Sequence, residues 1–475
     1  MNWYKIHSKL SLIALVPVLA WTLSGVMHPL MSNFKPNVKQ RLAVNKEVKK
    51  WGENTLSIDS VMTLHQWESI QSFRLVGLDS TLYYQIKHSQ SNYYVHTKTG
   101  QILDNGDEKY AIYLAGLYSE EENTKVSAVE KQESFSNEYV KIARILPVFK
   151  VKYLRMDGLR VFVDVNTDQM TYATNHLRSL FQQFFLWGHS WTFLNFNQTF
   201  RLLILSLFVL VSFSAGLSGI FVYTKFRKTY KQQHSSKVDK QRKWHRTLGI
   251  ALSFTLLLFT LSAFVHMLPK YNALDKTSFS TSNSFGKNDL RYPFSDLPKG
   301  WVNIQPVKIK EQTYYQVFYK KGKGISKRYF DVTRGVELRG ADSIYAVQLA
   351  MNYGGLSEVK QTKRIHKFEN EYGFINKLLP VQKVQFAGHG HPRWYIDTTT
   401  SYVGAIIEDQ SALSGFVFAY FHKYHMFDFM GKGFRDTLIS VFALGNFLVS
   451  LLGFMMYIKN VKKKSKNRKK QQLVT

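Results

Sequence analysis

One segment of this sequence occurs twice, and its spacing constrains the fold more than any other feature. His7 and His28 enclose an apolar run, and His245 and His266 enclose a second, similar run. In both copies the two histidines are 21 positions apart. A helix rises about 1.5 Å per residue and would separate each pair by roughly 31 Å, close to the thickness of a bilayer's hydrocarbon core. The spacing predicts two membrane-crossing helices with an imidazole at each face.

Four apolar runs contain no charged side chain. Each run is near the length that a membrane-spanning helix needs. The polar, aromatic-rich stretches between them predict soluble domains. The four runs are Leu10 to Met27, Leu202 to Tyr223, Leu248 to Val265 and Leu438 to Ile458.

The formal net charge is +30, and the positions of the basic residues indicate a membrane partner. Eight lysines and arginines lie in residues 225–243, between the second and third runs, and eight more follow the fourth run. Short loops rich in Lys and Arg stay in the cytoplasm. We therefore expect both termini and this loop to be cytoplasmic, both large domains to lie outside, and anionic lipid rather than nucleic acid to be the partner.

Similarity between the two halves extends beyond the apolar runs. Asn137-Glu-Tyr139 and Leu146-Pro-Val148 recur 233 positions later as Asn370-Glu-Tyr372 and Leu379-Pro-Val381. Such repeated blocks predict a tandem duplication in which each half is a span, an outer domain and a second span.

The predicted fold class is a membrane protein with four transmembrane α-helices and two duplicated α+β domains outside the cytoplasm. Alternating patterns such as Leu159 to Asp164 predict antiparallel strands, and residues 137–146 and 370–379 are predicted to be helical. The expected boundaries are transmembrane helices at 1–32, 199–224, 244–268 and 434–459, outer domains at 33–198 and 269–433, a basic loop at 225–243 and a basic tail at 460–475.

Six histidines form three repeated pairs at the ends of the spans. His7 matches His245, His28 matches His266, and the offset of 233 relates His189 to His422, with His425 as a near alternative. The chain has no cysteine, which excludes iron–sulfur clusters and covalently attached haem. Haem b needs only axial nitrogen ligands and an apolar slot between helices.

These pairs predict haem b as the cofactor, although a histidine at a membrane interface can also serve only as an amphipathic polar residue. We expect one inner haem between His7 and His245. At least one outer haem would draw its ligands from His28, His266, His189 and His422. One iron accepts only two axial ligands, so the sequence leaves the pairing of these four open.

A weaker metal candidate is the turn that contains His389 and His391. Two imidazoles on one turn can contact a metal ion, but the corresponding turn around Gly158 in the first half has no histidine. A polar turn is the favoured interpretation. His425 is likewise a weaker metal candidate.

Three features follow one another in the second half. They are the segment His245-Arg-Thr-Leu-Gly249, a span that ends near Thr260-Leu-Ser262, and a histidine with aromatic neighbours before the next span. This pattern resembles the PepSY-associated transmembrane family. The resemblance covers nearly the whole chain and implies PepSY-like outer domains and b-type haem in the bacterial inner membrane. Members include iron-regulated inner-membrane proteins and ferric-siderophore reductases, so a ferric chelate is the implied substrate.

The sequence contains no dinucleotide loop, Walker motif, serine nucleophile elbow or zinc-protease helix. An oxidoreductase of this kind would take electrons from a partner, either a quinol or a cytoplasmic reductase. Two other functions stay open: a non-redox PepSY module that binds peptide or regulates a peptidase, and a permease subunit. The permease is disfavoured because the spans lack the buried charges that mark transport paths.

Overall fold

The computed structural model describes residues 2–38, 55–119, 124–231, 237–272, 283–322, 324–355, 358–373, 377 and 379–472. The chain divides into two compact units. The helical unit comprises Met1–Lys35, Leu177–Leu274 and Gln410–Thr475. The sheet unit comprises Pro36–His176 and Asp275–Asp409.

Nine α-helices occur within the described residues. They are α1 Trp3–Asn33, α2 Ile58–Leu64, α3 Gly106–Ser119, α4 His176–Gly188, α5 Gln198–Lys231, α6 Lys237–Met267, α7 Ala341–Gly354, α8 Asp409–Val417 and α9 Lys432–Gln472. A π-helical turn, Phe418–His422, continues directly from α8.

Sixteen β-strands occur in the same residues. They are β1 Ser69–Ile70, β2 Ser72–Leu78, β3 Thr81–His88, β4 Ser91–His96, β5 Val126–Gln132, β6 Val148–Tyr153, β7 Arg160–Asp164, β8 Gln169–Thr174, β9 Phe285–Gly286, β10 Trp301–Ile309, β11 Gln312–Lys321, β12 Gly324–Asp331, β13 Val359–Ile365, β14 Val381–Phe386, β15 Arg393–Asp397 and β16 Tyr402–Ile407.

The four predicted spans are helices in the structure. α1, α5, α6 and α9 are each long and apolar enough to cross a membrane. α1 packs against α5 and α9, and α6 packs against the same two helices. The four helices therefore form a bundle in which each one has two neighbours.

Polar side chains inside the bundle form hydrogen bonds within their own helix or to a neighbouring helix. The hydroxyl groups of Thr22 and Ser212 donate to the carbonyl oxygens one turn earlier, at 2.6 Å and 2.7 Å. Asn446 of α9 donates from Nδ2 to Oγ1 of Thr255 on α6 at 2.9 Å. Such bonds let hydroxyl and amide groups lie between apolar helices without an unpaired polar atom.

The sheet unit contains paired sets of antiparallel sheets. Strands β2-β3-β4 and β10-β11-β12 form two three-stranded sheets. Strands β5-β6-β7-β8 and β13-β14-β15-β16 form two four-stranded sheets. α3 packs on the first four-stranded sheet and α7 on the second. This architecture confirms the predicted α+β class with antiparallel strands.

One hydrophobic core of the sheet unit draws residues from both of its chain segments. Phe73 and Tyr84 of the first segment are buried in it together with Tyr315 of the second. The side chain of Asn303 accepts from the backbone N–H of Leu75 at 3.0 Å and donates to the carbonyl of Leu75 at 2.9 Å. This amide completes the hydrogen bonding of a buried strand, as buried backbone groups require.

The prediction of a helix at residues 137–146 is wrong. Only a 3₁₀ turn, Lys141–Ala143, forms there. Tyr139 is buried, and its Oη lies 2.9 Å from both the carbonyl oxygen of Ile145 and Oγ1 of Thr171. The chain wraps around this ring instead of continuing a helix. The matching prediction at 370–379 lies partly outside the described residues, and residues 370–373 are not helical.

A partly buried carboxylate in the second half, Asp342, is surrounded by donors. Lys327 Nζ lies 3.1 Å from Oδ1 of Asp342, and Tyr329, Thr398 and Gln382 all donate to the same carboxylate. Burial alone would raise the pKa of Asp342, but Lys327 and these hydrogen bonds outweigh it and lower the pKa to about 2.

Replacing Asp342 with asparagine is expected to lower the free energy of unfolding by about 2 kcal/mol at neutral pH. A carboxylate whose pKa is lower in the folded state than in the unfolded state stabilises the fold at every pH above its unfolded-state pKa. In the unmodified protein this contribution disappears as the pH falls through about 2. Asp107 is the matched control, because burial raises the pKa of its carboxyl group instead of lowering it. Denaturation followed by circular dichroism should show the loss for D342N only, and equal losses in both variants would contradict this role of Asp342.

Candidate functional site

Two histidines from different long helices face each other in the helical unit. His7 lies near the start of α1, and His245 lies in the first third of α6. Their ring centroids are 6.5 Å apart, with 45° between the ring planes. The structure thus brings together the two histidines that the sequence predicted as one ligand pair.

A hydrogen bond to a neighbouring helix orients each of these rings. His7 Nδ1 lies 3.2 Å from the carbonyl oxygen of Ala215 and 3.0 Å from Oγ of Ser218, both on α5. His245 Nδ1 lies 3.1 Å from the carbonyl oxygen of Val449 on α9. An Nδ1–H that donates to a carbonyl leaves the lone pair on Nε2, the tautomer that binds a metal through Nε2.

Two glycines make room for these rings. A Cβ atom on Gly219 would lie 3.0 Å from Cε1 of His7, and a Cβ atom on Gly453 would lie 3.0 Å from Cε1 of His245. Both distances are shorter than ordinary carbon–carbon contacts. The absence of a side chain at each position therefore allows the imidazole to lie directly against the neighbouring helix.

A second pair of facing histidines comes from the segments that follow α4 and α8. The ring centroids of His189 and His422 are 6.2 Å apart, and their planes are nearly perpendicular at 79°. His189 Nδ1 lies 3.2 Å from the carbonyl oxygen of Trp21 and 3.3 Å from Oγ of Ser24. His422 Nδ1 lies 3.2 Å from Oγ of Ser262.

Burial makes this second pair neutral at physiological pH. It lowers the pKa of His189 to about 4 and the pKa of His422 to about 3. A neutral imidazole is the form that ligates metal ions, because its lone pair is free.

The other two predicted ligands lie beyond aromatic rings rather than opposite each other. His28 packs against the ring of Phe185, and His266 stacks on the ring of Phe418. Each phenylalanine stacks in turn on a histidine of the second pair. The order of rings is His28, Phe185, His189, His422, Phe418 and His266, with centroid separations of 5.8, 4.8, 6.2, 4.6 and 4.1 Å.

Both facing pairs have the spacing that a shared metal requires. Two imidazoles bound head-on to one metal at about 2.0 Å place their ring centroids roughly 6 Å apart. Within the described residues, no group of three or more His, Asp or Glu side chains is placed to hold a metal. The centroid spacing of each pair is compatible with two imidazole ligands on one metal centre.

The weaker candidates make local hydrogen bonds. His425 Nδ1 lies 2.7 Å from Oδ2 of Asp428, in the helical unit. His391 Nδ1 lies 2.6 Å from Oδ2 of Asp409, whose other oxygen accepts from Arg393 at 2.7 Å, in the sheet unit. His389 lies on the same turn as His391. None of these three faces another histidine ring in the described part of the chain.

The residues that position the imidazoles are not predicted by the sequence pattern. Ser24 and Ser262 occupy the same place in the two repeated Thr-Leu-Ser segments, and that repetition was the available signal. Gly219 and Gly453 are also related by nearly the same offset, 234 positions. Their role depends on helix rotation and approach, which hydropathy does not encode.

The fold and this site define a multi-pass membrane protein whose helix bundle holds paired, hydrogen-bonded histidines. Residues 78–460 match the family model described as PepSY-associated TM region, and the chain belongs to this family. No curated protein matched the sequence.

On the sequence-based expectation that the His7–His245 pair ligates a haem, replacing Gly219 or Gly453 with alanine should displace the adjacent imidazole and remove most of that haem. Gly249 is the matched control, because a Cβ atom there would meet Val449 at 3.7 Å, an ordinary contact. Haem content of the purified variants measures the effect. Full haem content in both G219A and G453A would show that the imidazoles need not lie directly against the neighbouring helices.

Proposed function

We propose that this protein is a haem-b electron-transfer protein of the bacterial inner membrane that reduces ferric chelates on the outer side. The observation that carries the proposal is the presence of two facing histidine pairs, with ring centroids 6.5 Å and 6.2 Å apart. One pair lies at the level of residue 7 of α1 and the other contacts α1 at Trp21 and Ser24. At about 1.5 Å per residue, these levels are roughly 21 to 26 Å apart along the helix.

Haem b, when bound, accepts and releases one electron at its iron without breaking a covalent bond. The chain would supply imidazole ligands to the group. The Nε2 atoms of His7 and His245 would serve the inner site, and those of His189 and His422 the outer site. The Nδ1 hydrogen bonds fix each ring, and the apolar helices exclude water, which favours ligation by imidazole over ligation by water.

The electron balance needs a donor from outside the chain. A quinol would release two electrons and two protons at the inner side, or a cytoplasmic reductase would supply electrons one at a time. Each ferric chelate takes one electron and becomes ferrous, so one quinol serves two chelates. The ferric substrate is supported by the family resemblance alone, because a fold can host several functions.

We propose the following topology. The basic residues of 225–243 and 460–475 support a cytoplasmic location for both termini and the connecting loop, and the sheet unit would then lie in the periplasm. Domains 33–198 and 269–433 would be the products of a tandem duplication. The equal strand orders of the two sheet sets support this origin.

Single histidine replacements separate the two sites. His245→Ala should remove about one haem equivalent and leave the spectrum of the outer site, because an axial position is lost at the inner site only. His422→Ala should do the converse. Visible spectra of the oxidised and dithionite-reduced proteins, with haem quantified per chain, measure both effects.

His366→Ala is the control, because this exposed histidine belongs to the sheet unit and lies outside both pairs. Folded H245A and H422A proteins that keep full haem content would contradict the ligand assignment. A wild-type protein that binds no haem when haem is supplied would favour the non-redox PepSY module or the permease subunit instead.

A further inference from the structure

Lys423 lies beside the second histidine pair. Lys423 directly follows His422 and is partly buried. Its Nζ lies 5.4 Å from the ring centroid of Phe418. That ring stacks on His422 at 4.6 Å and on His266 at 4.1 Å. The ammonium group is therefore held next to the aromatic rings that surround the pair.

Lys423 forms no ion pair and no side-chain hydrogen bond within the part of the chain that the structure describes. The charged groups that interact with it are Arg435 and Asp436 of α9. Asp436 is already engaged, because Oδ2 lies 2.8 Å from Lys432 Nζ and Oδ1 lies 3.7 Å from Arg435 Nε. A partly buried ammonium without a counter-ion is costly, and an anion at this place would offset the cost.

The equivalent position in the first half carries no cation. His189 is followed by Ser190 in the first half, whereas His422 is followed by Lys423 in the second. The two imidazoles and their Nδ1 partners are otherwise arranged alike. An anionic group bound near the pair would therefore be drawn to the side of the second half.

We propose that Lys423 is an anion-binding residue of the outer site and pairs with a carboxylate of the porphyrin held between His189 and His422. This inference rests on the proposed function. The lysine would orient the porphyrin in a site whose two halves are otherwise similar. An anionic lipid phosphate offers the same chemistry, since either group accepts charge-assisted hydrogen bonds from an ammonium.

The test compares iron protoporphyrin IX with its dimethyl ester, in which both carboxylates are blocked. Full-length H245A protein is freed of haem in detergent and titrated with each compound, so that only the outer pair remains. We expect the free acid to bind more tightly on the order of tenfold, the range of one charge-assisted hydrogen bond. Lys423→Gln should remove this preference and leave the affinity for the ester unchanged.

Lys459→Gln is the matched control, because Lys459 is an exposed lysine of α9 whose Nζ donates to Oε1 of Gln241 and not to Asp436. It should keep the preference for the free acid. Equal binding of the two compounds by the parent protein, or an unchanged preference in K423Q, would overturn the inference while leaving the haem site intact. If neither compound binds, the proposed function itself fails.

Native mass spectrometry distinguishes the lipid source. Phosphatidylglycerol should bind equally to the parent and K423Q proteins if Lys423 serves the porphyrin. A loss of bound phosphatidylglycerol in K423Q, together with equal binding of the acid and the ester, would assign the lysine to lipid and overturn the carboxylate assignment.

Discussion

The geometry of the candidate site depends on one constraint: a ring N–H buried among apolar helices must find an acceptor. The available acceptors are main-chain carbonyl and hydroxyl oxygens of the adjacent helix. His7 and His245 use carbonyls of α5 and α9, and His189 uses a carbonyl of α1. Once Nδ1 is engaged in this way, Nε2 is left free to bind a ligand. The tautomer and the ring orientation therefore follow from the helix packing.

Small residues make this packing available. Gly219 and Gly453 allow an imidazole to lie against a helix backbone, and Ser24 and Ser262 add hydroxyl partners for the second pair. Close approach of helices through small residues is the usual means of association in a bilayer, where apolar burial alone gives little preference between contacts. Helix association and imidazole placement therefore depend on the same positions, and disturbing one is expected to disturb the other.

The sequence predicted the parts of this structure that depend on pattern. Charge-free apolar runs predicted the four long helices, and alternating residues predicted antiparallel strands such as β7. The matching of His7 with His245 also followed from the repeat, because each occupies the same place before its span. The failure at residues 137–146 has a tertiary cause, since the buried ring of Tyr139 organises that segment.

The pairing of the other four histidines could not be predicted from spacing. His28 and His266 each lie four positions, about one helical turn, after Ser24 and Ser262, which contact the second pair. From sequence positions alone, all four histidines were expected at a similar height along the helix bundle. The side-chain rings of Phe185 and Phe418 separate them in the structure, and such an intervening contact leaves no periodic signal in a sequence.

Under the proposed function, each chain would hold two haems, each between a pair of imidazoles. Electron paramagnetic resonance of the oxidised, purified protein tests it most directly, combined with a haem-to-protein ratio from the same sample. The account predicts low-spin ferric signals of bis-imidazole type from two haems per chain. A haem-free protein, or a predominantly high-spin signal with water or no ligand at one axial position, would contradict it.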